Sequence, residues 1–250
     1  MHSVGSVIGR LAYAIIVAGV ALLGAQQAAE AIVGDARRVA GRAAQSLVVV
    51  RLPSGQCTGT VLAENLILTA AHCVVSDKIR VRSYGDRKLH RVVDAVVHPQ
   101  YQHAQSAIAT RVDLALLKLA TTLPDRAKPA LLARRSTTAG EAVLVAGYGL
   151  DDADAVNVTG RARMATLIVL EQRIGILLQL RDPAMQDAQL GACGGDSGGP
   201  AFALRDDLVV VGVVSAGPER CGGFTFVTPI TPYYDWIVET ARKLGSAVEH

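Results

Sequence analysis

No two of the four cysteines stand in a C-x-x-C spacing, which removes the commonest sequence signature of a zinc site. The apolar stretch from Leu11 to Ala25 is shorter than the ~20 residues a membrane-spanning helix needs, so no stable membrane anchor is expected. Long runs of helical periodicity are missing too, and strands must therefore carry the fold. The formal net charge of +3 is mild and gives no reason to expect nucleic acid as a partner. Neither a cofactor nor a metal ion is expected.

What the chain does carry is a series of short β-branched runs separated by turns: Leu47 to Leu52, Leu66 to Thr69, Ile79 to Arg82, Leu114 to Leu119, Ala142 to Ala146, Met164 to Leu170 and Leu208 to Val214. Short strands at regular spacing predict an all-β barrel or sandwich protein. Pro, Arg and Thr interrupt the pattern between Leu123 and Gly140, where a linker is expected. One helix is signalled at the end, with Thr231 as N-cap, Pro232 at the first helical position and Gly245 beyond Arg242 and Lys243. Tyr233, Trp236, Ile237, Ala241 and Leu244 fall on one face of it. Lys78, Arg80, Arg82, Arg87, Lys88, His90 and Arg91 alternate with other residues in one segment. They read first as the solvated face of a strand pair and second as an anion-binding exosite. Asn157-Val158-Thr159 is a glycosylation sequon.

The first 31 residues follow the three-part grammar of a secretory signal peptide: a weakly basic opening with Arg10, the apolar stretch, and a small-x-small cleavage site at Ala29-Glu30-Ala31. Cleavage after Ala31 leaves residues 32–250, enough for one substantial core. Export to the periplasm or the cell exterior is the expected destination. Four cysteines in such a chain suggest two disulfides, and three pairings are open.

The chemistry is written in three segments: Leu66-Ile-Leu-Thr-Ala-Ala-His72-Cys73, then Asp113-Leu-Ala-Leu-Leu-Lys118-Leu119, then Gly195-Asp196-Ser197-Gly198-Gly199-Pro200. A serine hydroxyl is a poor nucleophile at neutral pH; it needs an imidazole to take its proton and a carboxylate to hold that imidazole in the right tautomer. The third segment also satisfies the G-x-S-x-G pattern of an α/β-hydrolase nucleophile elbow. That fold wants a helix directly after the serine and a later histidine. Here strand-like residues follow, and the one later histidine is His250 at the terminus, so the elbow is excluded.

These three segments, in this order, resemble the chymotrypsin family of serine endopeptidases, with the resemblance running from Ile32 to the C-terminal helix. The resemblance implies two packed antiparallel β-barrels with a C-terminal α-helix: barrel one over about 32–133, barrel two over about 134–230 and the helix over about 231–244; the apolar, Trp-bearing face of that helix reads first as packing on the second barrel and second as a partner-binding stripe. It makes Ser197 the nucleophile, His72 the general base and Asp113 the carboxylate behind it. The backbone N–H groups of Gly195 and Ser197 become the oxyanion hole. Ile32-Val33-Gly34 resembles the start of mature, activated relatives, whose new α-ammonium group pairs with the aspartate before the nucleophile, here Asp196. Aspartate at that position, and the short stretch after Trp236, set the chain apart from the periplasmic quality-control branch.

The same resemblance pairs Cys57 with Cys73 and Cys193 with Cys221. It places Val143 and Ala203 where many relatives carry a further cystine. It leaves Asp86 without the acidic partner that some relatives use for calcium. Gly191 falls at the base of the primary specificity pocket, with Ala192, Ser215, Gly217 and Thr225 around it. Trypsin-like members carry an aspartate at that base; an unpaired buried cation there would be costly, so small or medium apolar residues are the expected preference. The implied partners are polypeptide substrates and protein protease inhibitors, acting on a monomer. A protease-shaped binding protein without catalysis is the alternative reading.

Overall fold

The computed structural model describes residues 32, 34, 36–101, 111–150, 161–174, 176–184, 190–204, 209–218 and 221–248. The expected signal peptide and the Asn157 sequon lie outside these residues. In chain order the strands are β1 (Arg37–Arg38), β2 (Leu47–Leu52), β3 (Gly55–Ala63), β4 (Leu66–Thr69), β5 (Arg80–Ser83), β6 (His90–Val97), β7 (Ala115–Leu119), β8 (Leu131–Leu132), β9 (Ala142–Gly147), β10 (Arg163–Ile174), β11 (Leu177–Arg181), β12 (Pro200–Ala203), β13 (Val209–Ala216) and β14 (Phe224–Pro229). Two helices complete the set, α1 (Gly41–Ser46) and α2 (Tyr234–Lys243).

Six strands close into a first barrel in the order β2-β3-β4-β7-β6-β5. A second closes as β9-β12-β13-β14-β11-β10, sealed by the β10–β9 pairing. Closure removes exposed strand edges. Aliphatic side chains form the buried core: Leu47, Val61, Ile67, Leu68, Leu116 and Leu117 on strands of the first barrel, several of them consecutive because both strand faces are covered, and Val143, Val145, Leu167, Leu178, Leu180 and Val214 on strands of the second. Gly59 allows this packing on β3, since a Cβ there would stand 2.7 Å from Ile67 Cγ2 and 3.0 Å from Val48 Cγ2.

Four expectations need correcting. β1 pairs with β10 and Ile32 lies in the second core, so the start of the segment assigned to barrel one is built into barrel two. The linker contains β8, which runs parallel to β13. Thr231 is not an N-cap: Thr231–Tyr233 forms a 3-10 turn with Ile230 in the capping position, and α2 begins at Tyr234. Pro232, at the start of that turn, supplies a helical φ ahead of α2.

The fourth correction concerns where α2 docks. Its contacts go to barrel one, where Tyr233 and Trp236 pack edge-on against His98 at 5.1 and 4.6 Å between ring centroids. Lys118 of β7 donates to the Gly245 carbonyl (3.2 Å) and to Ser246 Oγ (2.7 Å), while Ser246 Oγ donates to Asn65 Oδ1 (2.9 Å). The helix ends in a Schellman motif, with Gly245 at φ 67° and bonds from Gly245 N to Arg242 O and from Ser246 N to Ala241 O. Lysine at these carbonyls also complements the negative end of the helix dipole.

Candidate active site

His72 sits in a 3-10 turn over Ala71–Cys73 directly after β4, and the Cys57–Cys73 disulfide ties that turn to β3. Its ring Nδ1 donates to Asp113 Oδ2 at 2.7 Å, and its backbone N–H donates to Oδ1 of the same carboxylate at 2.9 Å. Asp113 is 3% exposed, and Ser215 Oγ from β13 donates to its Oδ2 at 2.6 Å. Burial alone would raise the Asp113 pKa, but the hydrogen bonds and charge of His72 and the Ser215 hydroxyl outweigh it and hold the carboxyl below its ordinary value. The carboxylate thus stays ionised and fixes which imidazole nitrogen carries the proton.

Ser197 stands half-buried in the loop between Cys193 and β12. Its carbonyl accepts from Thr58 N at 2.8 Å and lies 3.8 Å from Cys73 Sγ, beside the residue that follows His72. The loop is wound by short bonds: Asp196 N to Cys193 O, Gly199 N to Asp196 O, Gly198 N to Val214 O and Val214 N to Gly199 O. Gly198 has φ 81°, and a Cβ on it would fall 2.1 Å from Thr69 Oγ1; no side chain fits. Gly195 likewise takes a φ of 94°, open to glycine and strained for other residues.

Asp196 is fully buried. Its Oδ1 accepts from Gly149 N (2.7 Å) and its Oδ2 from Cys193 N (2.9 Å), so backbone amides from two directions hold the carboxylate. Ile32 is also fully buried, at φ 56°, a conformation that β-branched residues disfavour. What holds it is Arg163 at the start of β10, whose Nη1 donates to Ile32 O (3.2 Å) and whose Nη2 donates to the carbonyls of Gly34 (3.4 Å) and Ala36. One guanidinium thus clamps three alternate carbonyls of the segment.

Around the expected specificity pocket, a Cβ at Gly191 would stand 3.0 Å from the backbone of Gly222, a close approach that a side chain could make only if that backbone shifted. Thr225 is fully buried and its Oγ1 accepts from Ala192 N at 2.9 Å; its hydroxyl is committed to the wall. Gly217 is exposed opposite Ala192, whose carbonyl would lie 3.4 Å from an added Cβ. The Cys193–Cys221 disulfide joins the loop that carries Ser197 to this segment. A cleft of about 840 Å³ lies elsewhere, lined by Arg134, Arg135, Glu141 and Leu204.

Cys57, His72 and Cys73 bring their ligand atoms within 4.8 Å of one another, but both sulfurs are spent in a disulfide and offer no thiolate to a metal. Asp86 has a partner of another kind: its Oδ2 meets Nε2 of His90 at 3.0 Å, and the amide of Lys88 and this imidazole lower its pKa. His90, 2% exposed, therefore leaves the basic surface cluster to which its sequence position assigned it. Among the described residues no helix is long and apolar enough to cross a membrane.

Sequence reasoning missed Thr58, Gln56 and Arg163. The first two flank Cys57 on β3, and their burial is a property of the fold that the sequence does not display. Nothing in the sequence marked Arg163.

A family model described as Trypsin matches residues 32–237. Human kallikrein-10 is 29% identical over 212 residues, spanning 76% of this chain and 75% of its own. Human kallikrein-11 is 24% identical over 206 residues, spanning 75% and 72%. The serine protease SP24D of Anopheles gambiae is 28% identical over 234 residues, spanning 85% and 82%. The solved structure of neuropsin, a serine protease expressed in the limbic system of mouse brain, matches with a TM-score of 0.70 over 82% of this chain and 98% of its own, at 23% identity, a likeness of fold. With the family matched along most of its length, this chain belongs to the trypsin family and is a serine endopeptidase.

Proposed function

We propose that the protein is an exported endopeptidase that cleaves peptide bonds through an acyl-enzyme on Ser197. The observation that carries this reading is the bidentate hold of Asp113 on His72, through Nδ1 and the backbone amide. With Nδ1–H committed to the carboxylate, Nε2 is the nitrogen left to take the Ser197 proton as the hydroxyl attacks the substrate carbonyl. His72 then returns that proton to the leaving amine, and water repeats the sequence on the ester. The N–H groups of Gly195 and Ser197 receive the negative oxygen of each tetrahedral intermediate.

Signal cleavage after Ala31 frees the Ile32 amine to pair with Asp196, so export itself completes activation. Glycine at position 191 supports a preference for small or medium apolar residues before the scissile bond, since it brings no carboxylate to receive Arg or Lys. Protein inhibitors that present such a residue are suitable partners.

A fluorophosphonate probe tests the reading on exported protein whose first residue is read in the same experiment. We expect labelling at Ser197, a start at Ile32, and loss of both labelling and about 10⁶ in kcat in Ser197→Ala. Absence of labelling in wild-type protein would favour a silent binding homologue, and fast cleavage after Arg would overturn the specificity.

A further inference from the structure

Thr58, on β3 of the first barrel, touches the nucleophile loop of the second barrel at two points. Its backbone N–H donates to Ser197 O at 2.8 Å, and its hydroxyl donates to Gly195 O at 2.8 Å. The same hydroxyl accepts from Tyr148 N at 2.9 Å, and the Thr58 carbonyl accepts from Thr69 Oγ1 at 2.8 Å. Thr58 is fully buried. Its hydroxyl has both its proton and a lone pair engaged, which leaves no rotational choice. β-branching at χ1 restricts the side chain further.

Tyr148 begins the segment that lines the other side of the loop. Gly149 N binds the Asp196 carboxylate and Leu150 N donates to Gly194 O at 2.7 Å. Gln56, two residues before Thr58 and on the same strand face, donates from Nε2 to Tyr148 O at 2.7 Å. One strand of barrel one therefore grips both ends of the Tyr148 peptide group's neighbourhood and, through a single hydroxyl, the carbonyl of Gly195. Gly195 O belongs to the Gly195–Asp196 peptide, which lies between the peptide carrying Gly195 N–H, held at Gly194 O by Leu150 N, and the peptide carrying Ser197 N–H; fixing it, with the Ser197 carbonyl bound by the same residue, constrains the backbone that joins the two amides.

We propose that Thr58 is a positioning residue: its side chain sets the aim of the Gly195 and Ser197 amides and so couples the first barrel to oxyanion binding in the second. This rests on reading those two amides as the oxyanion hole. The hydroxyl never meets substrate; it acts by preorganising donors whose value depends on not having to move during the reaction. Thr58→Val keeps volume and β-branching but removes the hydroxyl, whereas Thr58→Ser keeps the hydroxyl, and all variants retain the backbone bond to Ser197.

The test compares wild-type, Thr58→Val, Thr58→Ala and Thr58→Ser in the exported, processed enzyme, with Thr58→Ala replacing Val if the latter does not fold. Three readouts are taken: kcat and KM on a peptide amide, affinity for a peptidyl trifluoromethyl ketone whose adduct carries an oxyanion, and affinity for a substrate-like peptide that forms no adduct. Loss of the hydroxyl is expected to lower kcat and ketone affinity together by about 10- to 100-fold. KM and affinity for the plain peptide should hold within about threefold, and Thr58→Ser should recover most of the loss. Unchanged kcat in a folded hydroxyl-free variant overturns the proposal, as does a loss that falls equally on the plain peptide or that serine fails to rescue. A wild-type enzyme that forms no ketone adduct and takes no fluorophosphonate would instead overturn the reading of the amides on which the proposal stands.

Discussion

Gly149 has room for nothing beyond hydrogen at its α-carbon, because an added Cβ would stand 2.5 Å from the carboxyl carbon of Asp196. That carboxylate cannot retreat, being fully buried and bound by Cys193 N on its other oxygen. Gly149→Ala must therefore push Asp196 out of place and with it the loop that presents Ser197. We expect a fall of about 100-fold or more in kcat with both disulfides formed; a folded Gly149→Ala protein with wild-type kcat would show that Asp196 does not govern the loop. Residues of this kind divide sharply in how well sequence exposes them. His72, Asp113 and Ser197 stand out in the sequence as the proposed triad because proton transfer at a hydroxyl demands those residue types in those local settings. Thr58 was not, since threonine in a strand is what β-propensity favours anyway, and the bonds that distinguish it come from chain 90 and 137 residues away. Arg163 was hidden for the same reason, its three carbonyl partners lying 127 to 131 residues earlier.

Strands whose side chains are apolar on both faces announced themselves: the expected runs at Leu47–Leu52 and Leu66–Thr69 coincide with β2 and β4. β3 and β14 were missed because they interleave other residues with apolar ones, Gln, Thr and Gly in β3 and Thr in β14, and Gln56, Thr58 and Thr225 among them are buried. The helix was foreseen and its docking partner was not, since the face of an amphipathic helix is visible in sequence while the surface it meets depends on where His98, Asn65 and Lys118 arrive after folding. At this scale the register of β9 against β12 carries a prediction. Val143 and Ala203 are directly opposed across that pair. Val143→Cys with Ala203→Cys should close a disulfide without moving either strand. Linking positions this far apart in sequence stabilises by at most about 4 kcal/mol in the chain-entropy picture. We expect a thermal midpoint several degrees higher in the oxidised double variant than in the same protein after reduction under conditions that spare the native disulfides. A free-thiol assay showing two unreacted cysteines would refute the inferred geometry.

Across the whole molecule, α2 straps the C-terminal end of the chain back onto barrel one, and the contact surface it uses is built around a titratable group. His98 is 6% exposed, receives Gln100 N on its Nδ1 at 3.2 Å, and meets the rings of Tyr233 and Trp236. Burial lowers its pKa below the ordinary 6.5, so the folded protein holds it neutral while an unfolded chain protonates it first. Wherever the unfolded state binds more protons, stability rises with pH. The contribution of His98 is therefore complete above pH 6.5 and is lost as pH falls below that value toward the folded pKa. Asp113 and Asp86 behave in the same sense but in a lower window, with pKa values lowered below 3.8: their stabilisation persists through the His98 window and declines only in stronger acid. The two kinds of group thus separate acid unfolding into distinct ranges. In Ser197→Ala protein, chosen to prevent self-digestion, the thermal midpoint should drop between pH 7 and pH 5, and adding His98→Gln should flatten that drop while leaving the decline below pH 4 in place. Equal slopes in the two proteins between pH 7 and pH 5 would show that His98 does not link proton uptake to the docking of the helix.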